Sequence, residues 1–519
     1  MCALAFLLGI TATISAGPFP NDDRRILYNS DSGNAFGQRI MDDMSVDETL
    51  ARIHDSIDEL AAAKVDTFFI VTSVQFFSRI GPSKILEQMG KFHLEREMAG
   101  WRRLDEAGVD ARKVMAERCH DYGMEFVPCI RMNDRHGGQR GRIIRDNPDW
   151  ILKGLSGGPA VDFAQAPVRE TLLTYVAEVL DAVEVDGIAF DYMRWAHMFQ
   201  PGQGAEHAHL LTDMTRKARK LLDDAARRRG RSRLPLFVRV PQTFRECEYL
   251  GYDLKTWIRE ELVDAVIPSD FFFIDFNTPV AELVEMATGT RCRIYPSISP
   301  VIGFGYESLH QKPINYRAAA YSFYGAGASG IEAYNYQYHW RPNPGHRNLW
   351  PASLKYLTAL EDPAGIADHD RHYLFFPLWP SVQQTGFAHD DRIRLDRAEN
   401  KPQGTQPFRL YEDLGDARVS ALLRFKAVGL AHDESLWIDL NGTEVDRPYV
   451  ERRRVGGQDK TIGKDLPEYV QHTVRLDWEP ATIIRGENEL RVRLNTGKAT
   501  EGTIVIDDLE VYVYVRPRR

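Results

Sequence analysis

From about residue 25 to residue 360, short apolar runs alternate with amphipathic stretches. The runs are "RILYNSD" (25–31), "VDTFFIVTS" (65–73), "MEFVPCIRMND" (124–134), "VDGIAFD" (185–191), "LPLFVRVP" (234–241), "VDAVIPSDFF" (263–272), "CRIYPSISPV" (292–301) and "SGIEAYNYQY" (329–338). They are near-continuously apolar and rich in β-branched and aromatic residues, as strands buried on both faces of a parallel sheet must be. Between them, "SVDETLARIHDSIDELAAAK", "DARKVMAERCHDYG", "PVRETLLTYVAEVLDAVE", "LTDMTRKARKLLDDAARRR" and "INYRAAAYSFYGAG" repeat apolar residues every three or four positions, the period of a one-sided helix. Eight such units in strict alternation predict an α/β fold, a (β/α)8 barrel over 25–365, in preference to an open doubly wound sheet.

Beyond residue 370 the period changes to two. "RVSALLRFKAVG", "SLWIDLNGTEV", "YVQHTVRLDW", "NELRVRLNTG" and "TIVIDDLEVYVYV" alternate polar and apolar residues between Gly- and Asn-rich turns. That pattern predicts an antiparallel β-sandwich over 371–519. A chain of 519 residues is in any case too long for one ordinary core. "LWIDLNGTEV" and "GENELRVRLN" resemble the galactose-binding-like sandwiches appended to many glycosidases, which implies either sugar binding or bracing of the barrel.

Composition narrows the class. Hydrophobic content of 43% and charged content of 27% are those of a soluble globular protein. The net charge of −9 is spread out with no basic stripe, which argues against a nucleic-acid partner. Residues 1–17, "MCALAFLLGITATISAG", read as a signal peptide and predict a secreted or periplasmic protein. The run is too short for a membrane span. Cys119, Cys129, Cys247 and Cys292 fall in barrel elements and read as buried free thiols, with no disulfide framework or CxxC site. His136, His197 and His339 lie near predicted strand ends without HExxH-like spacing, so neither a metal nor another cofactor is expected.

In a (β/α)8 barrel the chemistry sits at the carboxyl ends of the strands. Those ends read Asp31, Arg131, Asn133, Asp134, Asp191, Arg194, Arg239, Asp270, Tyr295, Glu332, Tyr334 and Asn335, with Tyr192 and Trp195 on the same rim. Ionisable side chains are costly to bury unless paired or used. Three carboxyls on strands four, six and eight, Asp191, Asp270 and Glu332, are the candidate catalytic groups. Cleavage of a glycosidic bond needs two carboxyls in separate roles. The alternative for Asp191 is a cap or an ion pair with Arg194, and for Asp270 a helix cap. Arg131, Asn133, Asp134, Tyr192, Arg194, Trp195, Arg239, Tyr295, Tyr334 and Asn335 are the candidate substrate-binding residues.

The stretch from "NPDWILKG" through "VDFAQAPVRETLLTYVAEVLDAVEVDGIAFDYMRW" resembles the glycoside hydrolase family 10-like hypothetical glycosyl hydrolases. The likeness covers about fifty residues closely and the barrel loosely, and "VDFAQAPVR" departs from the proline-containing start usual there. It implies a carbohydrate-active barrel whose partner is an oligo- or polysaccharide. By analogy of position, an Asp at the end of strand four with an Asp at strand six matches barrels resembling α-galactosidases. That analogy implies an α-linked substrate cleaved with retention. Arg131, Arg194 and Arg239, with Arg135 and Arg140 in the loop after strand three, could also receive an anionic glycan. The rival readings are a non-catalytic carbohydrate-binding protein and a metal-dependent glycan deacetylase or esterase.

Overall fold

The structure is a computed structural model. It describes residues 24–30, 44–74, 76–88, 95–134, 141–155, 160–270, 274–299, 312–339, 350–377, 390–456, 458–459, 464–465, 468–476, 482–496 and 501–517. The leader 1–17, Asp31, Arg135, His136 and Arg140 lie outside the described residues, as does the side chain of His339.

Eight parallel strands form the amino-terminal body: β1 (Ile26–Ser30), β2 (Thr67–Val74), β3 (Glu125–Arg131), β4 (Ile188–Asp191), β5 (Leu236–Val240), β6 (Ala265–Pro268), β7 in two pieces (Arg293–Ile294 and Ser297–Ile298) and β8 (Ile331–Tyr334). Each pairs in parallel with the next, and β1 also pairs with β8. The interruption of β7 falls at Pro296, which has no N–H for the ladder. The ring is nevertheless continuous there. The Tyr295 N–H donates to the Val266 carbonyl (3.0 Å) on one side, and the Glu332 N–H donates to the Pro296 carbonyl (3.0 Å) on the other. The sheet is therefore a closed barrel.

The connecting helices begin where their caps dictate. Ser45 and Glu48 form a reciprocal capping box at the start of Val46–Ala62, whose Ile53, Ile57 and Leu60 are buried at helical spacing. Asp110 caps Ala111–Asp121 with its side chain alone, accepting from the Arg112 N–H. Cys119, Cys129, Cys247 and Cys292 are all buried and free.

Alternation along each strand sorts the barrel interior into layers. Leu27, Phe69, Val71, Val127, Cys129, Ala189, Phe237, Ala265 and Ile267 fill the middle as one apolar cluster. Two residues further along several of these strands, the inward positions become Asn29, Arg131, Asp191 and Arg239. At the opposite, amino-terminal end, Arg24 donates twice to Glu125 (both 2.6 Å), and Thr67 Oγ1 donates to the same carboxylate (2.7 Å). Asp186, the first acid of "VDG", belongs to this floor. It accepts from the Phe126 N–H (2.9 Å) and Arg231 Nη1 (2.6 Å), and its Oδ2 lies 2.7 Å from His120 Nε2.

The carboxyl-terminal body is a two-sheet antiparallel sandwich built from β9 (Arg371–Phe375), β10 (Ile393–Asp396), β11 (Gln403–Leu410), β12 (Val419–Val428), β13 (Ser435–Leu440), β14 (Val450–Val455), β15 (Tyr469–Arg475), β16 (Gly486–Thr496) and β17 (Thr503–Val515). One sheet runs β9–β17–β12–β15–β14 with β10 also on β17, and the other runs β11–β16–β13. In β12 the alternation buries Ala421, Leu423, Phe425 and Ala427. Two clamps join the sandwich to the barrel. Arg371 is buried, donates two hydrogen bonds to the Glu412 carboxylate (2.6 and 2.7 Å) and lies over the ring of Tyr321 from the barrel helix Pro313–Gly325. Asn277, beyond β6, donates to the Pro407 carbonyl (3.1 Å) and accepts from the Arg409 N–H (2.9 Å). No described helix is long and apolar enough to cross a membrane.

Gly187 explains the glycine in "VDGIAF". A Cβ there would lie 2.7 Å from the Pro235 carbonyl oxygen and 3.2 Å from the Phe237 ring, so β4 can approach β5 this closely without a side chain. Because the obstacle is backbone, Gly187→Ala must push two barrel strands apart. The expected cost is about 1–3 kcal/mol, typical of overpacking. Thermal unfolding of the variant checks this, and an unchanged Tm would show that the strands yield freely.

Candidate active site

The polar layer at the carboxyl ends is organised around Arg239. Its position on β5 faces inward, opposite Asp191 of β4 in register. Nη1 donates to Asp191 Oδ1 (3.1 Å), and Nη2 donates to Ser269 Oγ (2.8 Å) and to the main-chain carbonyl of Asp270 (3.0 Å). Nε lies 3.9 Å from Glu332 Oε1. The guanidinium carbon sits 3.8 Å from the centroid of the Tyr334 ring, within cation–π range. Arg239 is 2% exposed, so these contacts replace water around the cation.

Two carboxyls flank this guanidinium. Asp191 is 1% exposed, and its Oδ1 also accepts from the Met193 N–H (2.8 Å). Two donors therefore meet on Oδ1. Glu332 is fully buried and accepts from Asn29 Nδ2 on Oε1 (2.7 Å). Burial pushes the Glu332 carboxyl above the ordinary glutamate range. Arg239, Ser297 and Asn29 pull it partly back, and Asp191 adds a further upward push. Asp191 Oδ2 and Glu332 Oε2 are both buried without a hydrogen-bond partner among the described residues. Buried acceptors are normally paired, so two orphan carboxyl oxygens in one layer mark a place built to receive something.

A second ion pair stands beside the first. Arg131 donates from Nη1 to Asp134 Oδ2 (2.8 Å) and from Nη2 to the Tyr334 hydroxyl (3.3 Å). Tyr334 thus carries Arg239 on its face and Arg131 at its hydroxyl. Arg194, 8% exposed, lies over the Trp195 ring (5.5 Å). Burial lowers its proton affinity. Tyr334, Asp134 and Asp191 counter that effect, while Arg131 adds to it.

Not every candidate belongs to this cluster. Tyr295, expected at a strand end, lies instead in the middle of β7, because the strand resumes after Pro296. Its ring is in the apolar interior layer, and the charges acting on it are those of Arg24 and Glu125 at the floor. Tyr192 points the other way, with its ring 4.7 Å from Tyr252 and 5.9 Å from Trp257 in the packing behind the barrel. The Asn133 amide holds loops, donating to the Val161 and His197 carbonyls and accepting from the Val161 N–H. Asn335, in the left-handed region at φ 48°, donates its N–H to the Asn29 carbonyl (2.8 Å). Asp270 is buried at the rim, where its carbonyl serves Arg239. Asn29, Ser269 and Ser297 join the cluster without having been singled out from the sequence. Reading strand seven through its proline would have found Ser297.

Among the described residues, no three His, Cys, Asp or Glu side chains converge where a metal ion could be held. The stretches 31–43, 135–140, 271–273, 300–311 and 340–349, which follow β1, β3, β6, β7 and β8, lie outside the described residues.

No family model matches the chain. No curated protein matches it either. Among solved structures, it is similar to alpha-L-fucosidase isoenzyme 2 from Paenibacillus thiaminolyticus, at 14% identity and a TM-score of 0.42 over 65% of this chain and 48% of that one. It is also similar to an Anoxybacillus alpha-amylase, at 12% identity and a TM-score of 0.40 over 96% and 99% of the two chains. A maltogenic alpha-amylase from Thermotoga neapolitana aligns at 11% identity and a TM-score of 0.39 over 96% and 100%. The chain spans about half the length of the fucosidase.

The raised Glu332 carboxyl has a consequence for stability. A glutamate titrates near 4.5 when unfolded, and the folded value lies above this. Its contribution is therefore fully present below the unfolded value and is lost as pH rises through the folded one. Glu332→Gln, which keeps an oxygen for Asn29, should gain stability relative to the parent as pH rises from about 4.5. Urea unfolding of both proteins across pH measures this, and a pH-independent difference would rule out an anomalous Glu332.

Proposed function

We propose that the protein is a glycoside hydrolase acting on an oligo- or polysaccharide, with Asp191 as nucleophile and Glu332 as general acid and base. The observation that carries this reading is the pair of buried carboxyls around Arg239, each with one oxygen unpartnered among the described residues. Hydrolysis of a glycosidic bond uses one carboxylate against the anomeric carbon and one carboxylic acid on the leaving oxygen. Arg239 and the Met193 N–H stabilise charge on Asp191. Burial favours a proton on Glu332, the form that can protonate a departing alkoxide. Glu332 takes this role over Asp270 because burial raises its carboxyl and it stands 3.9 Å from the guanidinium that binds Asp191.

In the first step Asp191 Oδ2 attacks the anomeric carbon as the Glu332 proton passes to the leaving oxygen, giving a glycosyl ester and a free hydroxyl. In the second, water attacks that ester, Glu332 takes its proton, and Asp191 is released. Retention would require the two carboxyl groups to lie about 5–5.5 Å apart, and inversion about 6.5–9.5 Å. The family 10-like kinship, secretion and, from the place of Asp191 at the end of β4, an α-linkage are parts of the same proposal. Arg131 and Arg239 each answer a carboxylate of the cluster, which argues against their being reserved for an anionic substrate.

Asp191→Asn should lower kcat by about 10⁴-fold, the scale for loss of a catalytic carboxylate. The fold should survive at a reduced Tm, because Arg239 loses its counter-charge. The assay is reducing-end release from a panel of plant, algal and bacterial glycans, with proton NMR of the first product anomer. An active Asp191→Asn enzyme would overturn the nucleophile assignment. Binding by the parent without release from any glycan would favour a non-catalytic carbohydrate-binding protein.

A further inference from the structure

The seam between barrel and sandwich holds a cavity of about 450 Å³. Its barrel wall comes from Thr243–Arg245 and Asp275–Pro279, which follow β5 and β6. The cavity therefore opens at the carboxyl-end side of the barrel, the side on which Asp191, Arg239 and Glu332 stand. Its other wall is the sandwich, from β9, β11 and the start of β10. We infer that this cavity is a remote subsite for a neutral glycan, holding units of a chain whose scissile bond lies at Asp191. The inference rests on the hydrolase reading for its substrate class.

Three observations carry it. The volume is that of a small-molecule site, about 300–1,000 Å³. The walls are also fixed to one another across the seam: Arg409 Nη1 donates to the Asn277 carbonyl (2.6 Å), in addition to the two bonds of the Asn277 amide to β11. A site held this way needs little ordering when a ligand arrives.

The chemistry of the lining selects the ligand. Three cations, Arg245, Arg392 and Arg409, face three anions, Asp275, Glu282 and Asp391, so the lining has no formal excess charge. Arg392 is bound to Asp390 (2.7 and 2.8 Å), and Arg409 lies near Glu487 (3.1 Å) and Glu282 (3.6 Å). Fixed carboxylates, guanidiniums and amides beside the half-exposed Phe244 match a ring with hydroxyls on its edge and C–H groups on its face.

The third observation is Gln406 on β11. It is 3% exposed and lines the cavity. Its Nε2 makes a 3.3 Å bond to the Phe375 carbonyl, and its Oε1 is buried without a partner among the described residues. Turned toward the cavity, the Gln406 amide would let this oxygen accept from a sugar hydroxyl. Continuity with the rim runs through Gln242, just beyond β5. With its amide oxygen turned to accept from the Asp270 N–H (3.1 Å), its nitrogen donates to Asp275 Oδ2 (2.5 Å). One amide thus joins the residue beside Arg239 to the cavity wall.

The test uses the full chain carrying Asp191→Asn, so that a glycan is bound without being consumed. The probes are the neutral hexaoses of β-1,4-xylose, β-1,4-glucose, α-1,4-glucose and α-1,6-glucose, with the corresponding monosaccharides, titrated calorimetrically and by saturation-transfer NMR. At least one hexaose should bind more tightly than its monosaccharide. Adding Phe244→Ala or Gln406→Leu should each weaken it about tenfold. On the otherwise unaltered enzyme, the same two substitutions should leave turnover of a short aryl glycoside unchanged. Phe244 is half-exposed, so its variant keeps the test readable if Gln406→Leu fails to fold. Absence of binding by every hexaose, or affinities indifferent to both substitutions, would overturn the subsite. Junction-dependent binding with no cleavage by the parent enzyme would sink the hydrolase reading and leave the subsite standing. Cleavage with junction-indifferent affinity would do the reverse.

Discussion

One buried cation governs the carboxyl end of this barrel. Arg239 is almost without solvent, and a guanidinium there persists only if the protein supplies its donors with acceptors. Asp191, Ser269 and the Asp270 carbonyl do so in the plane of the group, Tyr334 covers its face, and Glu332 stands at 3.9 Å. The same contacts pull β4, β6 and β8 toward β5. The barrel mouth and the charge pattern within it thus follow from a single requirement for neutralisation.

That requirement also separates the two carboxyls chemically. Asp191 receives a direct guanidinium bond and a backbone N–H. Glu332 receives an amide and a more distant cation. Burial makes a proton easier to keep on Glu332 than on a glutamate in water. Beneath them the apolar layer from Leu27 to Ile267 excludes water, and the Arg24–Glu125 and Asp186 clusters close the floor. Polar groups occur at both ends of the barrel; at the mouth, Asp191 and Glu332 each keep one carboxyl oxygen without a hydrogen-bond partner among the described residues.

Much of this was legible in the sequence, because strand period and strand ends carry it. Near-continuous apolar runs showed eight parallel strands and put Arg131, Asp191 and Arg239 at strand ends, which the fold then sets side by side in register. Tyr295 was misplaced because a proline looks like a strand terminus, whereas the neighbouring ladders bridge it. Tyr192 was misplaced because the residue after a strand end can turn outward, here into Tyr252 and Trp257. Asn133 matched the rim by position, yet its amide could be assigned only once the loops at Val161 and His197 were in place. Hydrogen bonds between distant loops leave no period to read. The seam cavity was illegible for the same reason, since its walls lie far apart in the chain.

The division of labour between Asp191 and Glu332 is the central claim, and leaving-group chemistry reaches it directly. A dinitrophenyl glycoside departs without a proton, whereas an unactivated glycan does not, so the acid is needed for one substrate and dispensable for the other. The decisive measurement is kcat/KM against pH for the parent and Glu332→Gln on both substrates. The account predicts that the variant loses the unactivated glycan, keeps the bond-breaking step on the dinitrophenyl glycoside, and no longer shows the fall in rate at high pH. Equal losses on both substrates, or an unchanged alkaline fall, would contradict it.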